Sequence, residues 1–187
     1  MKFIISTIYS VILLILSNNV GTGQDKNWSQ WRGLNYDGIA NSEQNPPISF
    51  NKKNNIIWSS KIEGRGHGSP TVYGNKVFLA TADESLKTQS LICINRKTGE
   101  RVWTRKVHEG GFPEKSNKKA SHASSTPATD GKLVYVNFLN DGAVYTTAYD
   151  FEGKKIWRQK ISSYILHQGF STSPAIYKSL LIISADN

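Results

Sequence analysis

Three of the four histidines occupy related places in the sequence and are the side chains best suited to chemistry. His67, His122 and His167 precede a Ser/Thr-Pro pair by three, five and seven residues. Imidazoles that converge can bind a ligand or a metal ion, and Arg65 lies two residues before the first of them. The unequal offsets favour the alternative, in which the histidines hydrogen-bond loop backbone. These four residues are the candidate ligand-binding set; no catalytic residue and no metal ligand is assigned.

Several kinds of catalytic site are excluded by residue type and spacing. Cys93 is the only cysteine, so neither an internal disulfide nor a cysteine-based metal site can form. The sequence has no nucleophile elbow, no phosphate-binding glycine loop and no zinc-ligand spacing. Residues 64–68 are rich in glycine, but they precede a predicted strand rather than a helix, which argues against a dinucleotide site.

The charge of the chain is basic but not patterned. There are 23 Lys and Arg against 14 Asp and Glu, for a net charge of +9. The basic residues are spread along the chain, and no stripe combines them with aromatic residues. Nucleic-acid-binding proteins cluster their cations, so we expect no nucleic-acid partner and ascribe the charge to solubility.

An internal repeat predicts the elements that position these side chains. Ser/Thr-Pro pairs recur at Pro70, Pro127 and Pro174, and a Trp follows the first two after 33 and 30 residues. Between each pair and its Trp, tight-turn signals separate short runs of β-forming residues. Each unit therefore predicts four antiparallel strands, the content of one propeller blade. We expect an all-β fold with blades near residues 67–107 and 122–161 and a partial one at 169–187.

Two segments resemble the tryptophan-docking motif of the pyrroloquinoline-quinone-like (PQQ-like, quinoprotein-type) β-propellers. Residues 93–103 match it except for Cys93 and Asn95, and residues 148–157 match it with one turn residue deleted. The opening at residues 28–38 resembles that of a bacterial branch of the same family. The resemblance implies that an outer-strand Trp stacks on the neighbouring blade. The docking residues it implies are Trp58, Trp103, Trp157, Thr98, Gly99, Asp150 and Gly153.

The number of blades predicts an incomplete ring. Residues 55–62 read as an outer strand with its Trp but without the rest of a blade, and in this family such a strand often completes the last blade. About 2.5 blades are present, whereas closed propellers use about four to eight. We therefore expect this sequence to be the N-terminal part of a longer β-propeller.

Residues 1–23 have the layout of a signal peptide. A short basic start precedes an apolar run at residues 3–16, and small residues follow at 21–23. The run is shorter than the roughly 20 residues that span a bilayer, so we expect cleavage rather than a retained transmembrane anchor. The propeller domain would then be residues 24–187, in the periplasm or secreted.

These expectations lead to two classes of function. The first is an exported, non-catalytic β-propeller that binds a protein or polysaccharide as a scaffold. The alternative is the N-terminal part of a PQQ-dependent dehydrogenase whose active site lies beyond this sequence. No cofactor is predicted from the residues, and PQQ enters through the resemblance alone.

Overall fold

The computed structural model describes residues 27–41, 44–113, 117, 119–166 and 169–186. Every regular element in these ranges is a β-strand. The strands are β1 (Thr71–Tyr73), β2 (Lys76–Asp83), β3 (Thr88–Asn95), β4 (Arg101–Glu109), β5 (Ala128–Thr129), β6 (Leu133–Asn140), β7 (Ala143–Asp150), β8 (Lys155–Ser163), β9 (Ala175–Tyr177) and β10 (Leu180–Ile182). None of the described residues belongs to a helix long and apolar enough to cross a membrane.

The strands form three antiparallel meanders in chain order. β1 to β4 make the first four-stranded sheet, β5 to β8 make the second, and β9 pairs with β10. Register shifts between β3 and β4 occur at Gln89/Ser90 and Cys93/Ile94. The second sheet has its shifts at the equivalent places, Val144/Tyr145 and Ala148/Tyr149. The unclosed all-β architecture of four-stranded blades agrees with the sequence prediction. The register shifts also repeat from the first sheet to the second.

The main core lies between the first two sheets. Phe78, Leu91 and Cys93 of the first sheet share one buried cluster with Val136 and Phe138 of the second. All eight residues of β6 are wholly or largely buried, as expected for a strand covered on both faces. This explains why the sequence of β6 lacks a clear apolar and polar alternation.

Cys93 is an ordinary core residue of this interface. Its side chain is fully buried and forms no disulfide. Burial raises the pKa of the thiol to about 11. Because a reactive cysteine needs an accessible thiolate, Cys93 fills space here where the family motif has a small residue.

Candidate functional site

The two ends of the strands carry different connections. In an antiparallel sheet, successive connections lie at opposite ends of the strands. One end, which we call the turn face, holds residues 74–75, 96–100, 130–132 and 151–154. The other, which we call the loop face, holds residues 84–87, 141–142 and the long connections 110–127 and 164–174.

The turn face joins neighbouring sheets through tryptophans. The indole N–H of Trp103 donates to the Phe151 carbonyl of the second sheet at 3.0 Å. The indole of Trp58 donates in the same way to the Arg96 carbonyl of the first sheet at 2.8 Å. Arg96 and Phe151 each directly follow the last residue of the third strand in their sheet. The two contacts are therefore repeats of one another.

Glycine is required beneath each of these indoles. A Cβ on Gly99 would lie 2.5 Å from Cδ2 of Trp58, and one on Gly153 would lie 2.9 Å from Cδ2 of Trp103. Both glycines have positive φ, +74° and +82°, a region that side chains disfavour. The third motif Trp, Trp157, is 37% exposed and packs beside Tyr135 of its own sheet.

The motif carboxylate and hydroxyl shape the turns that receive the indoles. Asp150 Oδ1 accepts backbone N–H bonds from Glu152 and Lys154. Asn95 Oδ1 does the same for Lys97 and Thr98, so the Asn that replaces the family Asp keeps its turn-forming function. Thr98 Oγ1 accepts from the Glu100 amide at 3.2 Å.

A second set of contacts links the inner strands. The amide of Ser69 donates to Thr126 Oγ1 at 2.9 Å, and the amide of Thr126 donates to Ser173 Oγ at 2.9 Å. These are the Ser/Thr residues of the three Ser/Thr-Pro pairs. The hydroxyls of Thr126 and Ser173 therefore each accept a hydrogen bond from a backbone amide of the preceding repeat. This is a physical role for the recurring pair that sequence reasoning had not found.

The glycine-rich segment at residues 64–68 also serves close packing. A Cβ on Gly66 would lie 2.7 Å from the Ala80 carbonyl oxygen, and one on Gly68 would lie 2.4 Å from that of Ser125. The His67 amide donates to the Ala123 carbonyl at 3.0 Å. The backbone of this segment thus lies directly against both sheets.

The N-terminal segment contacts equivalent residues of all three repeats. Trp28 pairs with Val72 through two backbone bonds, 2.8 and 2.9 Å long, and the Ser29 carbonyl accepts from the Thr129 amide at 2.8 Å. Gln30 Oε1 accepts from the Ile176 amide at 2.8 Å. Since Val72, Thr129 and Ile176 each lie two residues after the repeat proline, we call residues 28–30 the strap.

Two of the predicted ligand-binding residues, Arg65 and His67, lie in contact. Arg65 Nη2 lies 3.5 Å from His67 Nε2 and donates to the Lys119 carbonyl at 3.2 Å. His122 instead stacks on Phe112, with ring centroids 4.2 Å apart, and burial lowers its pKa. His167 lies outside the described residues. No group of three or more His, Cys, Asp or Glu side chains in the described ranges could hold a metal ion.

Two cavities lie on either side of the strap. The inner cavity has a volume of about 560 Å³. It is lined by Gln30, Trp31, Tyr36, His67, Ser69, Ser124, Thr126, Ser171, Thr172, Ser173, Pro174 and Ala175. A second cavity of about 370 Å³ lies on the side of the turn face, where Ser29, Gln30 and Leu34 meet Tyr73 and Asp130. The strap therefore separates the two.

The inner cavity does not fit pyrroloquinoline quinone. The quinone carries carboxylates that need cationic partners, and its carbonyl oxygen needs a bridging metal with its own carboxylate ligands. No Lys, Arg, Asp or Glu is among the described residues that line the cavity. We therefore derive no step through this cofactor.

Sequence reasoning singled out Trp58 and Trp103, whose contacts are described above, and missed the strap. Trp58, Trp103, Gly99 and Gly153 stand out because they recur at blade spacing. The bonds of residues 28–30 to three repeats leave no periodic signal, since one short segment meets each repeat once. The dense opening pattern of Trp, Gln and Gly at residues 28–33 was the available sign.

The sequence and the structure are similar to those of known proteins. A family model described as "Outer membrane protein assembly factor BamB" matches residues 45–165 and 87–187. No curated protein matches the chain. Among solved structures, BamB from Moraxella catarrhalis has a TM-score of 0.50 at 15% identity, covering 69% of this chain and 37% of its own.

A europium-containing methanol dehydrogenase also matches, with a TM-score of 0.37 at 17% identity over 75% of this chain and 33% of its own. The chain thus spans about a third of the length of the solved structures it matches. At 15% identity, the BamB structure shows the fold alone. Because the family model covers well over half of the sequence, the chain belongs to the PQQ-like β-propeller repeat family described by that model.

Proposed function

We propose that the chain is part of an exported, non-catalytic β-propeller that binds a protein partner through its loop face. The family to which it belongs is described as an assembly factor for outer membrane proteins. An assembly factor for proteins has proteins as its partners, which supports a scaffold function. The signal-peptide layout of residues 1–23 supports export to the periplasm.

This proposal rests on the difference between the connections of the turn face and those of the loop face. On the turn face, the connections 96–100 and 151–154 receive the indoles of Trp58 and Trp103 and are occupied by this packing. The loop face has the long connections 110–127 and 164–174 and an apolar side chain, Leu86, that is 68% exposed. Binding residues concentrate on loops that a rigid scaffold positions.

The loop face also carries charge that suits a protein surface. Glu84 and Lys87 are exposed in the same connection as Leu86, residues 84–87, so charges of both signs lie next to Leu86 in the chain. Interfaces commonly combine an apolar centre with a polar rim. This composition favours a protein partner over a purely anionic polymer.

Site-specific photo-crosslinking in the full-length protein tests the proposal. A photoreactive amino acid at Leu86 on the loop face is compared with one at Lys132, which is exposed on the turn face. We expect Leu86 to crosslink one discrete protein of the cell envelope and Lys132 to leave it uncrosslinked. Equal crosslinking from both positions, or none from Leu86, would contradict a loop-face partner.

A further inference from the structure

The inner cavity combines features that no part of the protein-binding proposal uses. Its volume of about 560 Å³ lies within the range of roughly 300–1,000 Å³ that small-molecule sites occupy. We propose that it binds a neutral, polyhydroxylated ring, such as one sugar unit of a neutral oligosaccharide. This goes beyond the proposed function and does not depend on the protein partner.

The polar wall of the cavity consists of hydroxyl groups. Six Ser and Thr residues line it: Ser69, Ser124, Thr126, Ser171, Thr172 and Ser173. Thr126 Oγ1 and Ser173 Oγ each accept a backbone N–H bond, which holds the oxygen in place and leaves the hydroxyl hydrogen free to donate. A wall that both donates and accepts matches a ligand whose own groups are hydroxyls.

The aromatic residues of the cavity supply an apolar surface. Trp31 is 54% exposed and Tyr36 is 41% exposed, and both line the cavity. The Tyr36 hydroxyl donates to the Ile176 carbonyl, which fixes this ring. The Arg32 guanidinium lies 5.6 Å from the centre of the Trp31 ring. Exposed rings of this kind present a flat, rigid surface at low entropic cost, suited to the C–H face of a sugar ring.

No Lys, Arg, Asp or Glu is among the described lining residues; Arg32 lies over the Trp31 ring and Arg65 next to His67, outside that lining, which favours a neutral ligand. Phosphates, nucleic acids and acidic sugars require cations, and a charged ligand buried without them would lose its hydration uncompensated. A fully apolar ligand would offer no hydrogen-bond partner to the hydroxyl groups that line the cavity. A neutral ligand rich in hydroxyls avoids both costs.

The strap gives the cavity a closed side. Gln30 is 2% exposed and lines both cavities, so residues 28–30 separate the inner cavity from the turn face. His67 and Ser124, which line the opposite part, lie toward the long connections of the loop face. A ligand would therefore enter from the loop face and stack on Trp31.

A glycan array probed with the full-length protein tests this inference. We expect binding to neutral oligosaccharides and none to their sulfated or phosphorylated counterparts. The best neutral oligosaccharide is then titrated by calorimetry against Trp31→Ala, Trp31→Phe and a control, Leu34→Ala. Leu34 is 51% exposed but lines the second cavity, so its truncation removes an exposed apolar side chain outside the site.

The expected result is a loss of affinity of about tenfold or more for Trp31→Ala, as for a central contact residue. Trp31→Phe should recover part of it, and Leu34→Ala should bind like wild type. No binding to any neutral glycan, preferential binding to acidic glycans, or equal losses for Trp31→Ala and Leu34→Ala would overturn the proposal. Crosslinking from Leu86 would be unchanged in Trp31→Ala, so failure of the sugar site is distinguishable from failure of the protein-binding proposal.

Discussion

At the scale of single residues, His108 is the titratable group whose environment most favours the neutral form. It is buried between the rings of Phe138 and Tyr145, at centroid distances of 6.1 and 5.3 Å. Its Nε2 has no hydrogen-bond partner among the described residues. Burial, with a smaller contribution from the Arg158 charge, lowers the pKa of His108 to about 4.

This lowered pKa predicts a pH-dependent stability. The unfolded chain takes up the proton first, so the contribution of His108 is fully present above its ordinary pKa and is lost as the pH falls to about 4. The loss amounts to about 3 kcal/mol. Denaturant unfolding of the full-length protein near neutral pH and at about pH 4 measures it, with His108→Phe as the variant. The pH dependence should be smaller in His108→Phe by that amount, and an equal pH dependence in wild type and His108→Phe would contradict the prediction.

Residue-level departures from the family motif have local explanations. Asn95 stands where the motif has Asp, and its Oδ1 likewise accepts two amides of the turn, those of Lys97 and Thr98. Cys93 stands where the motif has a small residue, and it packs in the main core. The structure therefore accommodates both substitutions within the motif. The surroundings of His67 and His122 could not be predicted from the sequence, because they depend on tertiary contacts of Arg65 with Lys119 and of His122 with Phe112.

At the scale of elements, the outer strand β4 is joined to the next sheet through Trp103. The ring is 7% exposed, and its N–H donates to Phe151. Arg105, two residues later, donates to the Gly153 carbonyl at 2.7 Å. Ser60 donates to the Gly99 carbonyl, again two residues after its Trp. We propose that these paired contacts are what orders neighbouring blades.

Truncation of Trp103 tests this element-scale proposal. Trp103→Ala should destabilise the full-length protein by about 3–5 kcal/mol, as expected for a buried Trp. Trp157→Ala is the informative comparison, because Trp157 is partly exposed in this structure. Unfolding monitored by circular dichroism measures both. An unchanged midpoint for Trp103→Ala would count against docking.

The strap makes a separate prediction. Gln30→Ala removes the acceptor of the Ile176 amide, and an unsatisfied buried amide costs about 1–3 kcal/mol. Hydrogen exchange at Ile176 should become faster in Gln30→Ala, with exchange at Val72 and Phe78 unaffected because their partners remain. If Ile176 exchanges at the wild-type rate, the strap does not hold the third repeat.

At the scale of the whole molecule, the four-stranded repeat was readable from the sequence because its turns and Pro positions recur. The strands of the first two blades lie within residues 67–107 and 122–161, apart from two residues at the end of each outer strand. The structure of residues 55–62 was harder to predict from the sequence. They form no ladder in the structure, yet Trp58 and Ser60 contact the first sheet as Trp103 and Arg105 contact the second. Their role as the outer strand of another blade stays a prediction.

Export is a second whole-molecule prediction. Residues 1–23 should be removed, so that mature protein recovered from the periplasm or medium begins near Gln24. The measurement is N-terminal sequencing of the protein expressed with its native start. Recovery of protein that still begins at Met1 would contradict cleavage.

The central claim is that this propeller binds and does not catalyse, and titration with pyrroloquinoline quinone tests it most directly. The full-length protein is mixed with the quinone and calcium, followed by calorimetry and absorbance, and assayed for oxidation of alcohols and sugars with an artificial acceptor. We predict no heat of binding, no absorbance shift and no turnover. Micromolar binding that is lost in His67→Ala or Arg65→Ala would contradict the account and favour a dehydrogenase.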